Sequence, residues 1–166
     1  QYFSTPKGSG GTRSYIIAKA LVESGHQVKV VCLKDQRAWS GLKNSFKYGF
    51  RRGKVEGIDV IEINLSYSNN FNLFKRSITF LKYSLVCSII AVKSKCDLIY
   101  ATSTPLTIAI PAIFGKIFRG RKFIFEVRDL WPELPKAMGV IKNPVILKMM
   151  DFLETSLYFF STACIG

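Results

Sequence analysis

The run Val28-Lys29-Val30-Val31-Cys32-Leu33 is apolar at all but one position, and a segment so short and so continuous fits a strand covered on both faces. Just before it, residues 14–24 place Ile17, Ala18, Leu21 and Val22 on one stripe of a helix that Gly25 ends. That helix in turn follows the turn Ser9-Gly10-Gly11-Thr12-Arg13. Glycine turn, helix and buried strand in this order predict a parallel α/β sheet, because parallel strands can be joined only through a crossover. Gln1-Tyr2-Phe3 is expected to be the tail of a first strand, most of which the chain lacks.

The alternation continues along the chain. Residues 55–65 have strand character, with Val60, Ile61 and Ile63 between Gly57 and Asn64. A helix over 73–94, a strand over 98–101 and the turn Thr102-Ser103-Thr104-Pro105 follow. Next come a helix over 106–118 that Pro111 is expected to kink, a strand over 122–127, a helix over 144–160 and a last strand over 162–166. Residues 34–54 break the pattern and predict a long loop, with Lys34, Arg37, Lys43, Lys47, Arg51, Arg52 and Lys54 against Asp35 alone, and Trp39, Phe46, Tyr48 and Phe50 interleaved. The 166 residues suit one domain. The expected fold is a doubly wound, mainly parallel sheet flanked by helices.

With 48% hydrophobic residues the chain can bury a core, which excludes disorder, and its formal charge of +13 calls for a polyanionic partner: nucleic acid, anionic lipid or a phosphorylated ligand. No apolar run reaches the length of a membrane span, the best stretch being broken by Lys82 and bounded by Lys93 and Lys95. Cys32, Cys87, Cys96 and Cys164 form no C-x-x-C pair and are expected as reduced, mostly buried thiols of a cytosolic protein. Together with the single His26, they supply no zinc ligand set, and His26 beside Gly25 is expected to be structural.

Open parallel sheets bind ligands beyond the C-terminal ends of their strands, so the 9–13, 102–105 and 128–133 segments are expected to line one crevice. The first ends at a helix N-terminus suited to a phosphate or carboxylate, with Arg13 adding a charge; an ordinary capped turn fits the same residues. Gly8 and Gly10 also give a G-x-G with Asp35 downstream, but Arg13 stands at the third glycine position of a dinucleotide motif. Glu126-Val127-Arg128-Asp129-Leu130-Trp131-Pro132-Glu133 gathers three carboxylates in a chain poor in acid. Arg128 can clamp an anion, and Asp129 or Glu133 can accept a hydroxyl proton. A structural Arg–Asp pair with Trp131 in the core is the competing reading.

Tyr2-Phe3, Gly10-Gly11-Thr12-Arg13-Ser14-Tyr15, Gly25-His26, Tyr100-Ala101-Thr102-Ser103-Thr104-Pro105-Leu106-Thr107 and Phe125-Glu126-Val127-Arg128-Asp129-Leu130-Trp131-Pro132-Glu133-Leu134-Pro135 resemble family-4 glycosyltransferases, within them the fucosamine transferase type of O-antigen and capsular polysaccharide synthesis. The resemblance implies the N-terminal, acceptor-side Rossmann-like half of a retaining GT-B enzyme. No metal or cofactor is implied; a nucleotide-sugar is co-substrate, bound mainly by a second domain with a paired-glutamate motif. That domain is absent from residues 1–166, so the fragment alone is expected to be inactive. Gly10, Gly11, Thr12 and Arg13 match the loop facing the donor phosphates. Arg128-Asp129 stand where many relatives have His-Asp, leaving Asp129 or Glu133 as the candidate base, with Thr102, Ser103, Thr104 and Glu126 toward the acceptor.

Acceptors in this subgroup are sugars on polyprenyl diphosphate, which implies a peripheral, cytoplasmic location at the inner face of the plasma membrane. Arg51 and Arg52, in the 34–54 loop, and Lys75 and Arg76, beside Phe71, Leu73, Phe74, Phe80 and Lys82, combine cations with aromatics as an interfacial surface would. For the segment around Lys75, a buried helix face with solvated lysines is the plainer alternative. A different class altogether is a non-catalytic basic α/β module for anionic lipid or nucleic acid; no nucleic-acid motif is present, and no such partner is expected.

Overall fold

A computed structural model of the chain describes residues 2–35, 37–65, 71–103 and 105–166, the side chains of Leu73 and Ile108 excepted. The chain divides into two compact units, Gln1–Thr79 and Phe80–Gly166. Each carries its own three-stranded sheet. Both are mixed α/β layers with parallel pairing and flanking helices.

In the first unit, α1 (Arg13–Glu23) buries Ala18. It stops where Gly25, at φ +86°, donates its N–H to Val22 O and His26 donates to Leu21 O, both at 3.0 Å. A left-handed residue after the last turn satisfies carbonyls that the helix leaves open. The sheet orders β1 (Lys29–Leu33), β3 (Ile58–Ile63) and β2 (Phe50–Val55), with β3 central. β1 runs parallel to β3, Val31 opposite Ile61, and β2 antiparallel to it, Arg51 opposite Glu62. Phe3, Ala18, Cys32, Leu42, Ile58 and Val60 form the core.

Three expectations are corrected here. The predicted 34–54 loop contains β2, and the predicted 55–65 strand is cut by a hairpin turn in which Glu56 and Gly57 have φ +49° and +89°. The sequence of β2, Phe-Arg-Arg-Gly-Lys-Val, has no fully buried position, so it carries no hydrophobic period; its ladder to the apolar β3 makes it a strand. No strand precedes α1 among the described residues. Instead Thr5 gives both its N–H (2.9 Å) and its hydroxyl (3.1 Å) to Trp39 O.

α2 (Leu73–Lys93) crosses the boundary between the units; the Asn72 side chain caps it, accepting from Lys75 N at 2.9 Å. The second unit continues with β4 (Leu98–Thr102), a 3-10 turn (Leu106–Ala109), α3 (Ile110–Arg119), β5 (Lys122–Glu126), α4 (Glu133–Ala137), α5 (Pro144–Phe160) and β6 (Ala163–Ile165). Its sheet is wholly parallel in the order β4-β5-β6. Pro111 does not kink a helix: it sits in the first turn of α3, where a missing N–H costs nothing. Phe123, Phe125, Leu157 and Ala109 are fully enclosed, and burying each phenyl ring contributes about 2–3 kcal/mol. Cys87 is buried, and that burial pushes its thiol up to about 11. Cys96 and Cys164 are exposed, contrary to the expectation of mostly buried thiols.

Glu62 is a buried charge of the first unit, its side chain 4% exposed. The Arg51 guanidinium forks onto it, Nε to Oε2 at 2.8 Å and Nη2 to Oε1 at 3.0 Å, and the Ser40 hydroxyl donates to Oε2. Removing one member of such a pair strands the other charge, whereas an apolar pair of similar volume replaces it at little cost. Glu62→Ala is therefore expected to cost about 3 kcal/mol in urea unfolding. Arg51→Met combined with Glu62→Leu is expected to recover most of that loss.

Candidate functional site at the strand ends of the second unit

Parallel β4 and β5 end on the same edge, which sets Thr102 opposite Glu126. The chain leaving β4 is then bolted to the chain leaving β5. Ser103 donates its N–H to Glu126 O at 3.0 Å, while its buried hydroxyl accepts from Arg128 N at 2.7 Å and Asp129 N at 3.2 Å. On the other flank Val127 N–H reaches Ile165 O at 2.7 Å, next to β6. Thr102, Ser103, Glu126, Arg128 and Asp129 thus share one small region. Glu126 is 1% exposed, Asp129 half-buried and Arg128 exposed. Thr104 lies outside the described residues.

Glu133 opens the short α4 and is exposed. It neighbours α5, where Tyr158 donates to Glu154 at 2.9 Å. Burial, ahead of that bond and of the nearby carboxylates including Glu133, pushes the Tyr158 phenol up to about 12. Burial likewise raises the Glu154 carboxyl above its ordinary range, against the lowering effect of the Tyr158 bond. Glu154 and Tyr158 were not singled out from sequence, although their i,i+4 spacing on a helix is the signal that pairs them. The Trp131 indole N–H is buried without a hydrogen-bond partner among the described residues.

Gly10, Gly11, Thr12 and Arg13 belong to the first unit. The Thr12 side chain makes no cap bond and the first turn of α1 holds no acid, so that turn has neither of the usual side-chain compensations. Ser9 Oγ donates to Arg37 O at 3.2 Å, and Trp39 N–H donates to Ser4 Oγ at 3.3 Å; the turn is pinned to the 37–39 backbone. The glycine this close approach requires is Gly8, where a Cβ would stand 2.7 Å from Trp39 N, whereas a Cβ on Gly11 would meet nothing within 4 Å. Asp35 accepts from Arg37 N at 2.8 Å and lies against its guanidinium, a local turn partner. Among the described residues no group of three or more His, Cys, Asp or Glu is placed to hold a metal ion.

The cations named for a surface separate into two kinds. Arg51 is committed to Glu62 and is 17% exposed, whereas Arg52 and Lys75 are exposed, lying over Phe50 at 5.5 Å and Phe71 at 3.9 Å. Arg76 is half-buried. Of the outward face of α2, sequence reasoning named only Phe74. Phe74, Ile78, Leu81, Leu85 and Ile89 recur every three or four residues and are between 37% and 74% exposed. The buried side of the same helix holds Tyr83, Ser84, Cys87 and Ser88, the Ser84 hydroxyl donating to Thr107 O. The helix carries no Asp or Glu.

Ser103→Ala removes the acceptor shared by two backbone N–H groups and is expected to cost about 1–3 kcal/mol. Amide exchange at Arg128 and Asp129 is expected to quicken about tenfold or more, with the β4–β5 ladder keeping its protection. Comparison with family models, curated proteins and solved structures finds no match to this chain.

Proposed function

We propose that this chain is the acceptor-side, Rossmann-like half of a retaining GT-B glycosyltransferase that moves a sugar from a nucleotide-sugar to a lipid-linked glycan. The observation that carries the reading is the Ser103 tie, because it joins the two segments that most resemble family-4 enzymes at the C-terminal edge of a parallel sheet. In this reading Arg128, exposed at the rim, binds a phosphate oxygen of donor or acceptor. Asp129, fixed through its backbone, takes the proton of the acceptor hydroxyl as the glycosidic bond forms, with Glu133 the second candidate for that role. Thr102, Ser103 and Glu126 shape the acceptor side, and Gly10, Gly11, Thr12 and Arg13 face the donor phosphates. The donor itself is held by a second domain. In the protein carrying that domain, Asp129→Asn and Arg128→Ala are each expected to lower turnover at least about a hundredfold while leaving the unfolding midpoint unchanged. Wild-type transfer rates in both variants would remove the site assignment.

The same reading puts the protein at the cytoplasmic face of an anionic membrane, held peripherally; no helix of the described residues is long and apolar enough to cross one. Support comes from α2. Its outward row of large apolar side chains is accompanied by Lys75, Lys82 and Lys93, and on a 3.6-residue helix these lysines fall on one flank of the row. Each lysine near an anionic leaflet contributes about 1 kcal/mol. An exposed apolar row on α5, Val145, Met149, Phe152 and Phe159, shares its helix with Asp151 and Glu154, so charge favours α2. Sedimentation with phosphatidylglycerol vesicles is expected to pull the chain down, phosphatidylcholine vesicles to leave it in solution, and Leu81→Asp with Leu85→Asp to abolish binding. Equal retention on DNA would favour the basic-module reading instead.

A further inference from the structure

On the outer edge of the first unit, the chain before β2 folds back and leaves a hollow of about 550 Å³ lined by Asn44, Ser45, Lys47, Tyr48, Phe50, Arg51 and Arg52. Three of those residues are cations and none is a carboxylate. From this geometry we infer that the hollow is a binding site for a phosphate-bearing anion, with a diphosphate group as the best-matched ligand. The inference stands apart from glycosyl transfer, since it uses no residue of the strand-end site.

Two of the three cations, Arg51 and Arg52, already contact an aromatic ring before any ligand arrives. Arg51 is anchored by Glu62 through Nε and Nη2 and lies 4.8 Å from the Phe46 ring centroid. Arg52 lies over the Phe50 ring, 5.5 Å from its centroid. Its carbonyl accepts from Asn44 Nδ2 at 3.0 Å, securing the wall. Neither the Lys47 ammonium nor the Arg52 guanidinium makes an ion pair with any described residue. Successive strand side chains alternate faces, so Arg51, whose charge Glu62 takes, points away from the face of Phe50 and Arg52; Lys47, paired with Phe50, and Arg52 leave the hollow a surplus of about two positive charges, suited to a multiply charged oxyanion. Immobilising the donors in advance spares a ligand that entropic cost.

The turn at its mouth is built for presentation. Lys47 N–H bonds Phe50 O at 2.7 Å and Phe50 N–H bonds Lys47 O at 3.0 Å, closing a two-residue hairpin around Tyr48 and Gly49. Tyr48 has φ +49° and is wholly exposed. With Gly49 at φ +81°, it forms the pair of left-handed residues that a two-residue hairpin turn requires. The exposed Tyr48 ring lies at the rim of the hollow.

The test is a titration of inorganic diphosphate into the isotopically labelled chain at constant ionic strength, followed by amide chemical shifts. Saturable shifts are expected at Lys47, Tyr48, Arg51 and Arg52. Lys47→Ala with Arg52→Ala, both solvent-exposed positions, is expected to weaken binding about tenfold or more with an unaltered unfolding midpoint. No saturable shift, shifts confined to the turn around Gly10, or undiminished affinity in the double variant would each overturn the inference. A second arm separates the source of the phosphate. If the Leu81→Asp, Leu85→Asp chain still binds vesicles containing phosphatidic acid and free diphosphate displaces it, the hollow accepts a lipid headgroup; if that chain binds free diphosphate but not the vesicles, the ligand is soluble. Because the α2 variants leave the hollow intact, failure of membrane attachment and failure of this site are separate outcomes.

Discussion

Parallel pairing of β4 with β5 is the constraint on which the second unit depends. Parallel neighbours cannot be joined by a tight turn, so the chain must leave the sheet at Thr102, cross its face and re-enter at Lys122. The 3-10 turn and α3 make that crossing, and Gly115 lets α3 pass close to Ile99: a Cβ there would collide with the isoleucine side chain. The crossover covers Phe123 and Phe125, which become the least accessible rings in the unit. It also brings the C-terminal ends of both strands to one edge. Only because of that can one serine hydroxyl receive the N–H groups of Arg128 and Asp129, about 25 residues further along the chain.

The first unit meets a different problem: a chain with formal charge +13 must still build a core next to its cations. Glu62 solves part of it by drawing Arg51 inward, so that an arginine in the most basic segment stiffens the β2–β3 hairpin rather than adding to the repulsive surface. The charge left outside has direction. Around the β2 hairpin it lines a hollow, and along α2 it edges an apolar row. The physical link between the two arrangements is that neither contains a carboxylate to neutralise it.

Most helices and the buried strands were legible because their signals are local. The apolar period of residues 14–24, the closing Gly25, the run 28–33 and the continuous apolar stretch around Phe123 each need only near neighbours in sequence to be recognised. Where residues lack such a period the reading failed. β2 has no buried position, so nothing in Phe-Arg-Arg-Gly-Lys-Val announces a strand until β3 supplies the ladder. Pro111 was placed inside a helix because the preceding 3-10 turn has the same apolar content as the helix it leads into. The outward row on α2 was hidden for a related reason: a helix apolar on several sides does not say which side the core will take.

By itself, then, the sequence determined the alternation of helices with buried strands, the absence of a membrane-length apolar run and the excess of positive charge, since all of these follow from composition and short-range spacing. Tertiary structure alone decided that Ser103 holds Arg128 and Asp129, that Arg51 turns inward to Glu62 while Arg52 stays in solvent, and that Gly8 rather than Gly11 carries the tight approach to Trp39. Those outcomes depend on which distant backbone arrives beside a given side chain. A hydroxyl, a guanidinium or a glycine has no preference strong enough to encode that until the sheet has brought its partner within bonding distance.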